Sequence, residues 1–282
     1  MILGNRLRID GALFFGIVML LGVGLFVVFS AGGEDWDLLQ RHGIRILVSL
    51  VVLLLVAQVP PDALQRWSPY VFFVSMGALV LVLVLGYADR GAQRWLDFGV
   101  IRFQPSEIMK LAVPMAVVWV LTRRPLPPRL PDLILAVALT LLPAFLVVIQ
   151  PDLGTAVLLI ISGLLAVFLA GVRWHHLLML AAVVAATAPY LWYRLHDYQQ
   201  ARIVTMFNPW ADPMGSGYHI IQSQIAVGSA GIAGKGWLRG TQSQLEFIPE
   251  RSTDFIFAVF AEEFGLIGAA VLLILYLFVV GR

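Results

Sequence analysis

The chain has 282 residues, of which 60% are hydrophobic and only 13% charged, with a mean hydropathy of +0.88. Soluble domains carry about 25% charged residues, so this composition excludes one and points to a polytopic membrane protein. A formal net charge of +2 is too small for a nucleic-acid partner, and the absence of cysteine removes disulfide and thiol chemistry.

Charge-free runs long enough to span, close to the ~20 residues that cross the hydrocarbon, occur at Gly11–Ser30, Pro69–Ala88, Leu133–Pro151 and Leu153–Val172. Four less clean spans are expected near Arg41–Val59, Pro105–Thr122, His175–Tyr193 and Asp254–Gly281. The first run lacks a small-residue cleavage site and is read as an anchor. With a cytoplasmic N-terminus, Arg6, Arg8, Arg66, Arg123, Arg124, Arg129 and Arg173 fall on inner segments. Arg90, Arg94 and Arg102 then fall outside, an asymmetry that favours this orientation. Proline inside the spans, at Pro114, Pro143 and Pro189, removes a backbone hydrogen bond and tends to kink a helix. Residues 194–253 form a long outer loop with Trp210, Trp237, Tyr218 and Phe247 among glycines and glutamines, a composition for short helices lying in the interface. The expected organisation is one integral membrane domain over residues 1–282 with this loop inside it.

Ionisable residues at the span edges are the chemical candidates, because a charge in the membrane costs about 2.5 to 3.5 kcal/mol on insertion. In G-A-Q-R-W-L-D-F-G-V-I-R-F-Q-P-S-E-I-M-K, Pro105 suits a first helical turn, and Glu107 and Lys110 are three apart on one face, where a pair is cheaper than either charge alone. Alternatively Glu107 complements the helix dipole and Lys110 snorkels. In Q-P-D-L-G-T, Asp152 can cap the amides of Gly154 and Thr155, or face Lys110 or a ligand head group, or both. Asp254 opens the last apolar segment. On a helix begun there, Ala258, Ala261, Gly265 and Gly268 share its face and Phe257, Phe260 and Phe264 cluster elsewhere, so Asp254 is expected to look into the bundle. G-S-A-G-I-A-G-K-G departs from a phosphate loop at Ser229 and Gly236, and the five histidines have no metal-ligand spacing, so no metal residues are assigned.

These stretches, together with G-Y-H-I-I-Q-S-Q-I-A-V-G-S, G-K-G-W and T-Q-S-Q-L-E-F-I-P-E-R-S-T-D-F-I-F-A-V-F-A-E-E-F-G, closely resemble the shape, elongation, division and sporulation family. The resemblance covers essentially the whole chain. It implies an all-α polytopic transmembrane helix bundle, with about eight spans present of a ten-span family fold and the large extracytoplasmic loop between spans 7 and 8. It also implies a multi-pass protein of the bacterial cytoplasmic membrane that polymerises lipid II into β-1,4-linked glycan on the outer face. The implied partners are a class B penicillin-binding transpeptidase and other elongation-complex proteins. By the resemblance Asp254 matches the family's essential aspartate, and Arg94, Trp95, Glu107, Lys110 and Asp152 match other sensitive positions. Lys110, Arg94, Arg102, Arg202 and Arg251 could supply positive charge to a leaving diphosphate, with a divalent cation, Mg or Mn, as the one cofactor that could share that role. The rival reading is a flippase for the same lipid-linked precursor, since buried charge and kinked helices also build transport paths.

Overall fold

In a computed structural model the residues described are 9–282 except 90, 91, 98, 100, 101, 126, 196, 216, 246 and 249. The chain divides into two compact units, one running from Val59 to Leu195 and one combining the chain before Val59 with the chain after Leu195.

The first of these units contains α3 (Pro61–Leu85), a three-stranded antiparallel sheet of β1 (Tyr87–Asp89), β2 (Ala92–Asp97) and β3 (Arg102–Phe103), then α4 (Pro105–Leu121), α5 (Leu130–Ile149), α6 (Leu153–Leu169) and α7 (Trp174–Arg194). Proline opens α3 and α4, as its missing N–H permits, and Asp152 caps α6. α3 begins eight residues before the expected Pro69 and runs through it. The polar residues Gln65 and Arg66 hide this start from hydropathy, but they sit on a formed helix, where Gln65 Nε2 donates to Thr122 Oγ1 at 3.0 Å. Helices α4, α5 and α7 likewise continue through Pro114, Pro143 and Pro189. The strands, in a segment expected to be loop, pair Tyr87 with Trp95 and Leu96 with Phe103.

The core of this unit joins Phe72 and Leu79 of α3, Met109, Val113 and Val117 of α4, Ala136 and Val147 of α5, and Ala156 and Leu159 of α6. Small residues set the approach of α5 to α6. Thr140, fully buried, satisfies its hydroxyl on the Ala136 carbonyl at 2.9 Å and lies directly against Gly163.

The second unit holds α1 (Gly11–Ala31), α2 (Trp36–Ala57), α8 (Asp197–Phe207), a 3-10 turn at Pro209–Ala211, α9 (Tyr218–Ser229), α10 (Thr241–Gln244) and α11 (Ile256–Gly281). Asp10 caps α1 through the amides of Ala12 and Leu13, and Asp35 caps α2 through those of Asp37 and Leu38. Hydrogen bonding from the Leu13 amide holds the Asp10 carboxyl below its ordinary range. Helix α1 packs on α11, where the Gly16 position lies against Phe278 and Val279. The long loop is built of short helices as its composition predicts, with a small core of Ala226, Ile248 and Ala258.

Each of the eight expected spans corresponds to a helix, and among the described residues five of them, α1, α2, α3, α5 and α11, are long and apolar enough by length and composition to cross a membrane. The fold class is all-α and polytopic, with the small sheet added.

A Cβ at Gly163 would run into the Thr140 side chain. Gly163→Ala is expected to destabilise the α5–α6 pair by about 1 to 3 kcal/mol, the usual cost of overpacking. Adding Thr140→Ala should recover most of that loss. The measurement is thermal unfolding in detergent followed by size exclusion.

Candidate functional site

Two polar centres emerge, one in each unit. In the unit from Val59 to Leu195, β2 carries Arg94 to the turn between α5 and α6. Its Nε donates to the Gln150 carbonyl at 3.1 Å, one Nη donates to the Pro151 carbonyl, and the other lies 3.7 Å from Asp152 Oδ2. The last carbonyls of a helix lack intrahelical partners and bear the negative end of its dipole, so a guanidinium fork answers both needs. Asp152 accepts from the Thr155 amide at 3.2 Å and hydroxyl at 3.0 Å, and from Gln104 Nε2 at 3.5 Å. It is therefore the expected cap, made to Thr155, and its charged neighbour is Arg94 instead of Lys110. Gln150, almost fully buried, reaches across to the Leu79 carbonyl of α3 at 3.0 Å.

Lys110 Nζ lies 2.8 Å from Glu107 Oε2 on α4, the pair that the three-residue spacing predicts. Both side chains are partly exposed, so the pair remains open to a ligand. Trp95, half-buried, sits beside Arg94 on β2, and Arg102 Nε meets Asp97 Oδ2 at 3.4 Å at the exposed end of the sheet. Arg202 is exposed on α8 of the other unit.

In that second unit the polypeptide turns through Arg251–Phe255 before α11 starts at Ile256, two residues beyond the expected Asp254. The turn is closed by the Thr253 and Phe255 amides donating to the Glu250 carbonyl at 3.1 and 3.3 Å. Asp254 is exposed on this turn and does not face inward from a helix. The small face of α11 is nevertheless buried at Ala258, Ala261 and Gly265, and the phenylalanines cluster as expected, with ring centroids 6.4 Å apart for Phe257 and Phe260 and 5.0 Å for Phe260 and Phe264. Gly265 is not helical: its φ of 63° and ψ of −159° are open to glycine alone. Arg251 donates to the Ser243 carbonyl.

Sequence reasoning gave no role to Glu262 and Glu263, which are 0% and 1% exposed. Glu262 accepts from Lys235 Nζ at 2.7 Å, Thr241 Oγ1 at 3.1 Å and the amides of Gln242 and Ser243 at 3.0 and 3.3 Å. Glu263 accepts from the Ser30 hydroxyl and from the Leu238 amide at 3.1 Å. The signal was present as two adjacent acids inside an apolar run, but the partners come from distant residues. They also explain G-K-G, whose lysine neutralises a buried carboxylate. Among the described residues no group of three or more His, Cys, Asp or Glu side chains is arranged to hold a metal ion.

The sequence model of the FtsW/RodA/SpoVE cell cycle protein family matches residues 7–282. The chain is 46% identical over 279 residues to the peptidoglycan glycosyltransferase MrdB of Escherichia coli K12, covering 99% of this chain and 75% of that protein. It is 36% identical over 271 residues to the probable peptidoglycan glycosyltransferase FtsW of Idiomarina loihiensis, covering 95% of this chain and 66% of that one. Among solved structures it is similar to a chain from a peptidoglycan synthase complex that coordinates polymerization and crosslinking, with a TM-score of 0.80 and 32% identity over 97% of this chain and 76% of that one. The rod shape determining protein RodA of Thermus thermophilus matches with a TM-score of 0.68 and 27% identity, over 99% of this chain and 75% of that one.

Asp152→Ala removes both the α6 cap and the Arg94 partner and is expected to cost about 1 kcal/mol or more in stability, whereas Asp152→Asn keeps a capping oxygen and should cost less. Thermal unfolding of the two variants side by side checks the order.

Proposed function

This chain belongs to the FtsW/RodA/SpoVE family, and from that premise we propose that it is a peptidoglycan glycosyltransferase polymerising lipid II into β-1,4-linked glycan on the outer face of the inner membrane during cell elongation. The observation that carries the reading is an accessible carboxylate, Asp254, held on a hydrogen-bonded turn ahead of an apolar span in a chain so similar to a named glycosyltransferase. The higher identity to MrdB than to FtsW supports elongation over division. The partner class is a penicillin-binding transpeptidase, in keeping with a structural relative that belongs to a synthase complex.

In the proposed reaction the Asp254 carboxylate takes the proton of the acceptor 4-hydroxyl as its oxygen attacks the donor anomeric carbon. The bond from that carbon to the diphosphate oxygen breaks, undecaprenyl diphosphate departs with the electron pair, and the configuration inverts. An exposed carboxylate suits a base that must meet a substrate hydroxyl, since geometry comes before pKa in that role. The leaving diphosphate needs fixed positive charge. Lys110 and Arg94 with Trp95, Glu107 and Asp152 are assigned to substrate binding by the family resemblance, and Arg102 and Arg251 by their charge. Arg251, already committed to the Ser243 carbonyl, is a holder of the Asp254 turn first. Arg94 is already committed to two carbonyls and Asp152, which makes it and Asp152 holders of the α5–α6 turn first. A divalent cation, Mg or Mn, arriving on the diphosphate would share the role of these cations and would need only one or two protein carboxylates.

Asp254→Ala is expected to lower polymer formation about 10² to 10⁴-fold while leaving the protein folded. Gel analysis of glycan made from lipid II by the full-length protein with its transpeptidase partner reads this, and undiminished polymer would remove the assignment. Reversing charge with Lys110→Glu should impair donor use more than acceptor use. Separate titrations of the two substrates distinguish that from equal losses, the outcome for a purely structural lysine.

A further inference from the structure

The centre around Glu262 has the properties of a device for holding the Asp254 turn. Glu262 is completely buried, and its two oxygens collect four donors, three of them from Thr241–Ser243 and the fourth from Lys235. Ser243, itself 1% exposed, then presents its carbonyl to the Arg251 guanidinium. Arg251 begins the turn that carries Asp254. One carboxylate thus reaches the Asp254 turn through two successive hydrogen bonds.

The loop that delivers Lys235 is fixed independently of its side chain. The amides of Lys235 and Gly236 donate to the carbonyls of Glu262 and Glu263 at 3.0 and 2.9 Å, and the amides of Leu266 and Ile267 donate to Gly231 and Ile232 at 3.1 Å each. These bonds bracket Gly265, whose non-helical backbone exposes the groups they satisfy. Gly234, with φ of 77°, packs so closely on the Glu263 carbonyl that a Cβ there would collide with it. The break in α11 and the 231–243 loop are therefore bonded to each other by backbone and side chain around Glu262.

We propose that Glu262 is a positioning residue for glycan transfer, acting through Ser243 and Arg251 to set the place of the Asp254 carboxylate. The proposal rests on the base role given to Asp254 above. Its physical content is charge: backbone amides at 242 and 243 point at the carboxylate, and an amide group in its place must turn either an NH2 toward those donors or its single oxygen to one side, releasing part of the 241–243 segment. Positioning matters because a misplacement of about 1 Å remote from the chemistry can lower a rate about 10²-fold.

The test uses the full-length protein with its transpeptidase partner and lipid II. E262Q should lower kcat by about 10²-fold with KM for lipid II changed less than about twofold, and should speed hydrogen exchange at the Thr253 and Phe255 amides. Unchanged kcat and exchange, or a rise in KM with kcat preserved, overturns the proposal. Should E262Q fail to fold, Thr241→Val decides by the same readouts: it deletes one donor to Glu262 and the hydroxyl that accepts from Lys235 Nζ at 2.7 Å, while the direct Lys235–Glu262 contact remains, so a smaller fall in kcat with faster exchange supports the proposal, and wild-type values overturn it. Asp254→Ala run in parallel keeps the two readings apart. If that variant polymerises normally the base role falls; if it is inactive while E262Q behaves as wild type, only the positioning role falls.

Discussion

A charged group taken out of water must find its partners within the chain, and in this protein that requirement shapes each polar centre. Glu262 meets it with an ammonium, a hydroxyl and two amides. Replacing such a pair by apolar groups is often harmless, but removing one member strands a buried charge. Glu262 is thus tied to Lys235 and the loop around it, and the loop to the break at Gly265. The same requirement acts on the backbone. The first four N–H groups and the last four C=O groups of a helix have no intrahelical partner, and lipid supplies none. Arg94, on a short strand, answers it at the end of α5 by bonding the carbonyls of Gln150 and Pro151.

What hydropathy could read, it read well. The eight spans were legible because apolar length is a property of the local sequence, and so was the Glu107–Lys110 pair, whose spacing on one helix fixes its geometry. Legibility stopped where the outcome depends on distant residues. The start of α3 was missed because Gln65 and Arg66 look like loop until Thr122 is seen to receive Gln65. The strands at 87–103 are too short to show alternation. The capping role of Asp152 is local and legible, and the cap is made to Thr155, but its charged neighbour depends on β2, which brings Arg94 to it where Lys110 or a ligand head group was the expectation.

Gly265 illustrates the same boundary in one residue. A glycine four positions after Ala261 fits a small helical face, and it is indeed buried there. The helical register nevertheless breaks at it, because the 231–236 loop offers acceptors and donors that a continuous helix would have no use for. Glycine permits the break and the loop makes it favourable. Neither half of that statement is visible from the periodicity of α11 alone.

The contrast between Asp254 and Glu262, eight residues apart, separates two uses of a carboxylate. Glu262 has all the donors it needs and no solvent, an arrangement that resists change and suits a support. Asp254 is exposed on a turn, an arrangement that suits the proposed exchange of a proton with a substrate hydroxyl. A group that must exchange partners during a reaction cannot be as fully satisfied as Glu262, yet it must not wander. A short turn closed on Glu250 and tethered through Arg251 to a buried anion reconciles the two demands, since order at Asp254 is imposed from behind while its carboxylate faces outward.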